Sequence, residues 1–75
     1  MTVAGALFKL AKTHERLGQF DEAEDIYERA EVVGEETTGP MYASLLYAHA
    51  AMLRRSGGSL KKAFELERRA KRRHD

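Results

Sequence analysis

The chain has 75 residues, of which 43% are hydrophobic and 33% are charged, with no cysteine and a formal net charge of +1. This length allows one small domain at most, and the lack of cysteine excludes disulfides and thiolate metal sites. No apolar run approaches the roughly 20 residues of a membrane span, and the N-terminus lacks the basic start and apolar core of a signal peptide. The composition therefore predicts a soluble, cytoplasmic domain that does not enter a membrane.

The first two predicted helices are separated by Gly18 and Gln19. The first extends from about Val3 to Leu17, and its apolar stripe at helical spacing consists of Leu7, Leu10, Ala11, His14 and Leu17. The second extends from about Asp21 to Val33, with carboxylates in its first turn that suit the helix dipole. Its stripe consists of Ala23, Ile26, Tyr27 and Ala30.

A polar loop over residues 34–39 leads to the third and fourth predicted helices. Pro40 opens the third helix, because proline is tolerated in a first helical turn, and Gly57-Gly58 ends it. Ser59 is the expected N-cap of the fourth helix, which carries Leu60, Ala63, Phe64, Leu66 and Ala70. Short connections require antiparallel neighbours. We expect the core to contain Ala11, Ala23, Ile26, Tyr27, Ala30, Leu46, Ala50 and Leu53.

An internal repeat relates the two halves of the chain. Residues 22–30 (EAEDIYERA) precede residues 62–70 (KAFELERRA) by 40 positions, with alanine recurring twice and arginine once. One extra residue at the glycine pair aligns the preceding helices, matching Leu7 with Leu46, Phe8 with Tyr47, Ala11 with Ala50 and Gly18 with Gly57. Two helical hairpins of about 40 residues therefore lie in tandem.

The first unit resembles a tetratricopeptide repeat, through the spacing of Leu7, Ala11, Gly18, Phe20, Ala23, Tyr27 and Ala30. The period of about 40 residues is longer than the commonest length of this repeat. This period and the Thr38-Gly39-Pro40 loop are similar to those of the kinesin-light-chain-like subgroup. The resemblance implies an all-α domain over residues 1–75, with repeats at about 3–34 and 40–73 joined by a linker at about 35–39. The two antiparallel hairpins, four helices in all, would stack as a short right-handed solenoid. Its implied function is non-catalytic binding of another protein or peptide.

In this family the first helix of each hairpin lines a concave groove. The resemblance therefore implies that the first and third helices hold the partner-binding residues, which would be Phe8, Lys12, Glu15, Arg16, Tyr47, Ala51 and Arg54, with Arg55 nearby. Aromatic and arginine side chains commonly dominate interface energies. The alternative, that Phe8 or Tyr47 packs between the hairpins, remains open.

No residue pattern indicates catalysis, a cofactor or a metal. His14-Glu15 begins like a zinc-peptidase motif, but Gly18 stands where the second histidine would be. His49 lies in a helical stripe and His74 in a frayed tail. The acidic run at residues 21–25 lacks the alternating ligands of a calcium loop. We therefore expect no enzyme activity, no cofactor and no metal site.

Two further interpretations concern partners. The basic run at residues 67–74 could contact nucleic acid, although no aromatic residue interleaves with it. The chain could also be a fragment or an engineered piece of a longer repeat protein, because two repeats are fewer than solenoids usually need.

Self-association is predicted from the distribution of charge. Residues 1–40 carry four basic and nine acidic side chains, a net charge of −5, and residues 41–75 carry nine basic and three acidic ones, a net charge of +6. Halves of opposite charge favour contact between copies. The outer helices add apolar surface through Val3, Leu7, Phe64 and Leu66. We therefore expect a homodimer or a larger homo-oligomer.

Overall fold

The computed structural model describes residues 2–36 and 40–74, with side chains described as far as Arg72. It contains four helices, α1 (Val3–Arg16), α2 (Phe20–Gly34), α3 (Pro40–Ser56) and α4 (Leu60–His74). Within the described ranges there is no β-strand, and none of the helices there combines the length and the hydropathy of a membrane span. The predicted all-α fold of two antiparallel hairpins is confirmed. Thr38 and Gly39 of the predicted inter-repeat loop lie outside the described residues.

Local side chains and backbone preferences set the helix starts. The Thr2 hydroxyl accepts a hydrogen bond of 2.9 Å from the Gly5 amide, and the Ser59 hydroxyl accepts one of 3.1 Å from the Lys62 amide. Each satisfies one of the amides that a first turn leaves without a partner. The predicted N-cap at Ser59 and the start of α3 at Pro40 are therefore both observed.

Both hairpin turns depend on a glycine in the left-handed region of backbone space. Gly18 has φ +77° and Gly57 has φ +76°, and an added Cβ at either position would meet no atom within 4 Å. The need for glycine at these positions is therefore purely conformational. The match also confirms the predicted register in which Gly18 corresponds to Gly57.

Small residues let the helices approach closely in the core. All eight predicted core residues are at most 9% exposed, and Ala11, Ala23, Ala50 and Ala63 are fully buried. Gly34 extends this pattern, because a Cβ there would come within 3.3 Å of Leu45 Cδ1. The sequence places Gly34 in a loop, but it belongs to the last turn of α2 and gives α3 the room to pack against it.

Several predicted stripe residues are exposed. Leu10 is 46% exposed and Phe64 is 57% exposed. Leu17 directly follows the end of α1 and is 67% exposed, and Leu60 is the first residue of α4 and is 56% exposed. Leu10 corresponds to His49 in the repeat, and His49 is fully buried because α2 covers α3. In the described chain no helix covers α1 in the same way.

Three helix limits also differ from the sequence prediction. The first helix ends at Arg16 instead of Leu17, because Gly18 turns the chain there. The second begins at Phe20, one residue before the predicted Asp21. The fourth reaches His74, which the sequence assigns to a frayed tail.

Replacing either turn glycine should destabilise the domain by about the same amount. We expect Gly18→Ala and Gly57→Ala each to cost about 1–2 kcal/mol, because alanine is strained at positive φ while no neighbour is displaced. Asparagine tolerates this conformation better, so Gly18→Asn and Gly57→Asn should recover part of the loss. Thermal unfolding followed by circular dichroism measures both series. A much larger loss at one glycine than at the other would contradict the equivalence of the two turns.

Candidate functional site

A groove of about 800 Å³ runs along one side of α1 and is bounded at one end by the first turn of α3. Its lining residues are Thr2, Gly5, Phe8, Lys9, Lys12, Thr13, Arg16 and Met41. Six of these eight lie on α1 and one is its N-cap Thr2, and because they are spaced three or four positions apart they share one face of the helix. Gly5 keeps part of this face free of side-chain bulk.

The groove combines cations with apolar surface. Lys9, Lys12 and Arg16 supply three positive charges, and Phe8 and Met41 supply the larger apolar side chains. Its described lining contains no carboxylate and no histidine. The groove therefore attracts anionic groups and can bury apolar ones, but its lining offers no acid–base pair for catalysis.

Phe8 belongs to the groove and to the packing of the domain at the same time. It is half-buried against the core, with its ring centroid 6.1 Å from that of Tyr27 at an interplanar angle of 53°. On its groove side, Lys12 Nζ lies 5.8 Å from the Phe8 ring centroid, within the range of cation–π attraction. Phe8 therefore packs within the first hairpin and not between the hairpins, and its binding of a partner stays a prediction.

Beneath Phe8, Tyr27 is fully buried on α2. Its hydroxyl donates a hydrogen bond of 3.0 Å to Glu15 Oε1, and its ring stacks on His49 with centroids 5.3 Å apart and an interplanar angle of 8°. Burial, together with the nearby charge of Glu31, raises the pKa of Tyr27 to about 12. Tyr27 therefore stays neutral and holds α1 and α3 against α2.

Glu15 is predicted to bind a partner, but the structure buries its side chain. The sequence places it on the rim of the binding face, but it is only 8% exposed. Its carboxylate accepts the Tyr27 hydrogen bond and forms an ion pair with Arg55, whose side chain is mostly exposed. A buried carboxylate requires such partners. Glu15 therefore stabilises the contact between the helices and does not line the groove.

A second polar cluster joins the two hairpins. His49 Nδ1 lies 2.7 Å from Glu31 Oε2, and the other ring nitrogen lies 3.6 Å from Glu24 Oε2. Lys62 Nζ lies 2.7 Å from Glu24 Oε2 and 3.0 Å from Glu28 Oε2. No group of histidines and carboxylates in the described chain is suited to hold a metal ion. The cluster is therefore a structural link between α2 and both helices of the second hairpin.

The charges in this cluster support one another. The hydrogen bond from Lys62 lowers the pKa of Glu24, although burial partly opposes that effect. Burial alone would lower the pKa of Lys62, but its hydrogen bonds to Glu24 and Glu28 outweigh burial and raise it. The ion pair between Lys62 and Glu24 is therefore retained on both sides of neutral pH.

The structure divides the predicted partner-binding residues. Phe8, Lys12 and Arg16 line the groove, whereas Tyr47, Ala51 and Arg54 do not. Tyr47 is 43% exposed, and Arg54 is bound by α4 through bidentate contacts of 3.2 and 2.9 Å to Glu67. Sequence reasoning missed Lys9 and Met41. Lys9 lies four positions after Gly5 on the groove face, but the position of Met41 depends on how the hairpins stack.

The basic run of α4 is only partly available to a partner. Arg68, Arg69 and Arg72 border a shallow hollow of about 230 Å³ together with Glu65. Within the hairpin, Arg69 donates a hydrogen bond of 2.7 Å to the Tyr42 hydroxyl. Nucleic-acid binding through this run stays a prediction.

Tyr27 should make stability depend on pH in the alkaline range. Its pKa in the folded protein is about 12, above the ordinary value of 10, so folding favours the neutral phenol. This contribution is fully present below pH 10 and is lost as the pH rises towards 12. We expect the difference in unfolding free energy between wild type and Tyr27→Phe to be constant from pH 7 to about 9.5 and to shrink above it. Urea titrations at each pH measure this difference, and a growing difference would contradict the assignment.

Comparison with known proteins agrees with the repeat and with the observed hairpins. The family model described as tetratricopeptide repeat matches residues 2–74. No curated protein and no solved structure matches the chain. Modules of this type are typically non-catalytic scaffolds for protein–protein interaction. With both hairpins covered by the match, the chain belongs to the tetratricopeptide repeat family.

Proposed function

We propose that the α1 groove binds an acidic segment of a partner protein that also carries a large apolar side chain. The observation that carries this proposal is the composition of the groove, in which Lys9, Lys12 and Arg16 surround the apolar Phe8 and Met41 without a carboxylate in its described lining. Burial of an apolar side chain would supply most of the affinity, and the cations would set orientation and association rate.

The remaining features of the proposal follow from the family and from the length of the repeat. The two first helices are offset by 39 residues and the two second helices by 40, which supports placement in the kinesin-light-chain-like subgroup. We propose a cytoplasmic location, consistent with the lack of cysteine. Tyr47, 43% exposed on α3, would extend the contact beyond the groove.

A charge reversal in the groove should remove the preference for acidic segments. In a selection of random peptides displayed on phage, wild type should enrich sequences with aspartate or glutamate next to a large apolar residue. The Lys12→Glu/Arg16→Glu variant should lose this enrichment, with at least about tenfold weaker binding of the selected peptides by fluorescence anisotropy.

The matched control changes the net charge equally outside the groove. Lys61 and Arg72 are both exposed on α4, so Lys61→Glu/Arg72→Glu should leave peptide binding almost unchanged. If this control abolishes binding and the groove variant does not, the basic run of α4 is the working surface and the groove proposal fails.

The two aromatic residues of the predicted binding face should behave differently when truncated. Phe8→Ala should weaken peptide binding and also lower the unfolding free energy by about 1–3 kcal/mol, because Phe8 packs on Tyr27. Tyr47→Ala should weaken binding with nearly unchanged helicity and stability, because Tyr47 is 43% exposed. Urea unfolding and anisotropy on the same samples separate the two effects. Unfolding of the Tyr47→Ala variant would assign Tyr47 to the core instead.

A further inference from the structure

The contact between the two hairpins supplies a template for the two ends of the molecule. In the repeat, residues of α1 correspond to α3 with an offset of 39, and residues of α2 correspond to α4 with an offset of 40. The surface that α3 and α4 present to α2 therefore has a counterpart on the first hairpin, which we call the head face (Val3, Ala6, Leu10 and Glu22). The surface that α2 presents has a counterpart on α4, which we call the tail face (Phe64, Arg68 and Lys71).

An ion pair of the internal contact has a complementary counterpart at the ends. Lys62 Nζ lies 3.0 Å from Glu28 Oε2 across the hairpin junction. Subtracting the offset places Glu22 at the position of Lys62, and adding it places Arg68 at the position of Glu28. Both are exposed. If a head face met a tail face in the geometry that joins the two hairpins, Glu22 would lie opposite Arg68. This pair is attractive, and its charges are exchanged relative to those of Lys62 and Glu28.

A polar contact of the junction has an apolar counterpart. His49 Nε2 lies 3.6 Å from Glu24 Oε2, and the corresponding end residues are Leu10 and Phe64. Leu10 is 46% exposed and Phe64 57%, and Arg54 covers one side of the Phe64 ring at 4.8 Å. Lys71, at the position of Glu31, would lay its aliphatic chain along Leu10. Leu10 of the head face and Phe64 of the tail face would therefore meet in an apolar contact.

We propose that a second copy of this chain stacks on the first head to tail, with its Leu10 against Phe64 and its Glu22 against Arg68. The net charges of −5 and +6 on the two halves favour the same orientation. Because head and tail are different surfaces, the contact is heterologous and can be repeated from copy to copy. The contact lies away from the Lys12 side of the groove, since Leu10 lies roughly 160° around α1 from Lys12 at 3.6 residues per turn, and the two surfaces adjoin at Thr13.

An exchange of charges tests the orientation of the stack. We expect self-association of wild type to strengthen with concentration in sedimentation velocity, and Glu22→Arg or Arg68→Glu alone to weaken it about 3- to 10-fold. An equimolar mixture of the two variants should restore association, because each head then meets a tail of opposite charge. The double variant should restore it for the same reason. Weakening in the single variants without rescue in the mixture would overturn the proposed pairing.

A pair of introduced cysteines tests the apolar contact. The chain has no cysteine, and within one molecule no Cα of α1 lies within 8 Å of a Cα of α4 in the described residues. A disulfide needs Cα atoms about 4.4–6.8 Å apart, so Leu10→Cys/Phe64→Cys can only link different copies. Mild oxidation should give a ladder of dimers and longer chains on a non-reducing gel.

The matched control places one cysteine away from the proposed contact. Val32 is 69% exposed on α2, and Val32→Cys/Phe64→Cys should cross-link at least about tenfold more slowly. Circular dichroism of every variant checks that the helices are kept. Equal cross-linking in the two cysteine pairs, or a wild-type monomer at several hundred micromolar in low salt, would overturn the head-to-tail stack.

Discussion

Tyr27 contacts both helices that flank α2. Its hydroxyl donates a hydrogen bond to Glu15 of α1, and its ring contacts Phe8 of α1 at a tilted angle and stacks on His49 of α3. A buried phenol is costly without a hydrogen-bond acceptor, and the carboxylate that provides one must itself be compensated, here by Arg55. The placement of α1 against α3, and with it the shape of the groove, therefore depends on one aromatic side chain and its chain of partners.

The local charge of the groove differs from the charge of the half that forms it. Residues 1–40 have a net charge of −5, yet the groove face of α1 carries Lys9, Lys12 and Arg16. The helical period separates the signs, because the carboxylates Glu24, Glu28 and Glu31 lie on α2 and face the second hairpin. The local charge of the groove is therefore set by the helical period and not by the net charge of its half.

The sequence predicted the four helices, the register of the repeat and the eight core residues because each follows from local rules. These rules are turn glycines, caps and the spacing of apolar residues. It did not predict that Leu10 is exposed while His49, its counterpart, is buried, because that difference depends on whether a neighbouring helix covers the position. The same reason explains Glu15 and Met41. The burial of Glu15 requires Tyr27 from another helix, and Met41 reaches the groove only when the hairpins are stacked.

The two hairpins are closed by different polar contacts, and this difference bears on how the chain finds its correct partners during folding. Glu15 meets Tyr27 in the first hairpin, and at the corresponding positions Arg54 meets Glu67 in the second. If α1 paired with α4 instead, Glu15 would face Glu67, and two carboxylates would meet where each native hairpin sets a carboxylate against a donor. Tandem repeats of similar sequence are prone to such mispairing. The replacement of Tyr27 by Glu67 at the corresponding position therefore favours the pairing of each helix with its own partner over pairing with the equivalent helix of the other repeat.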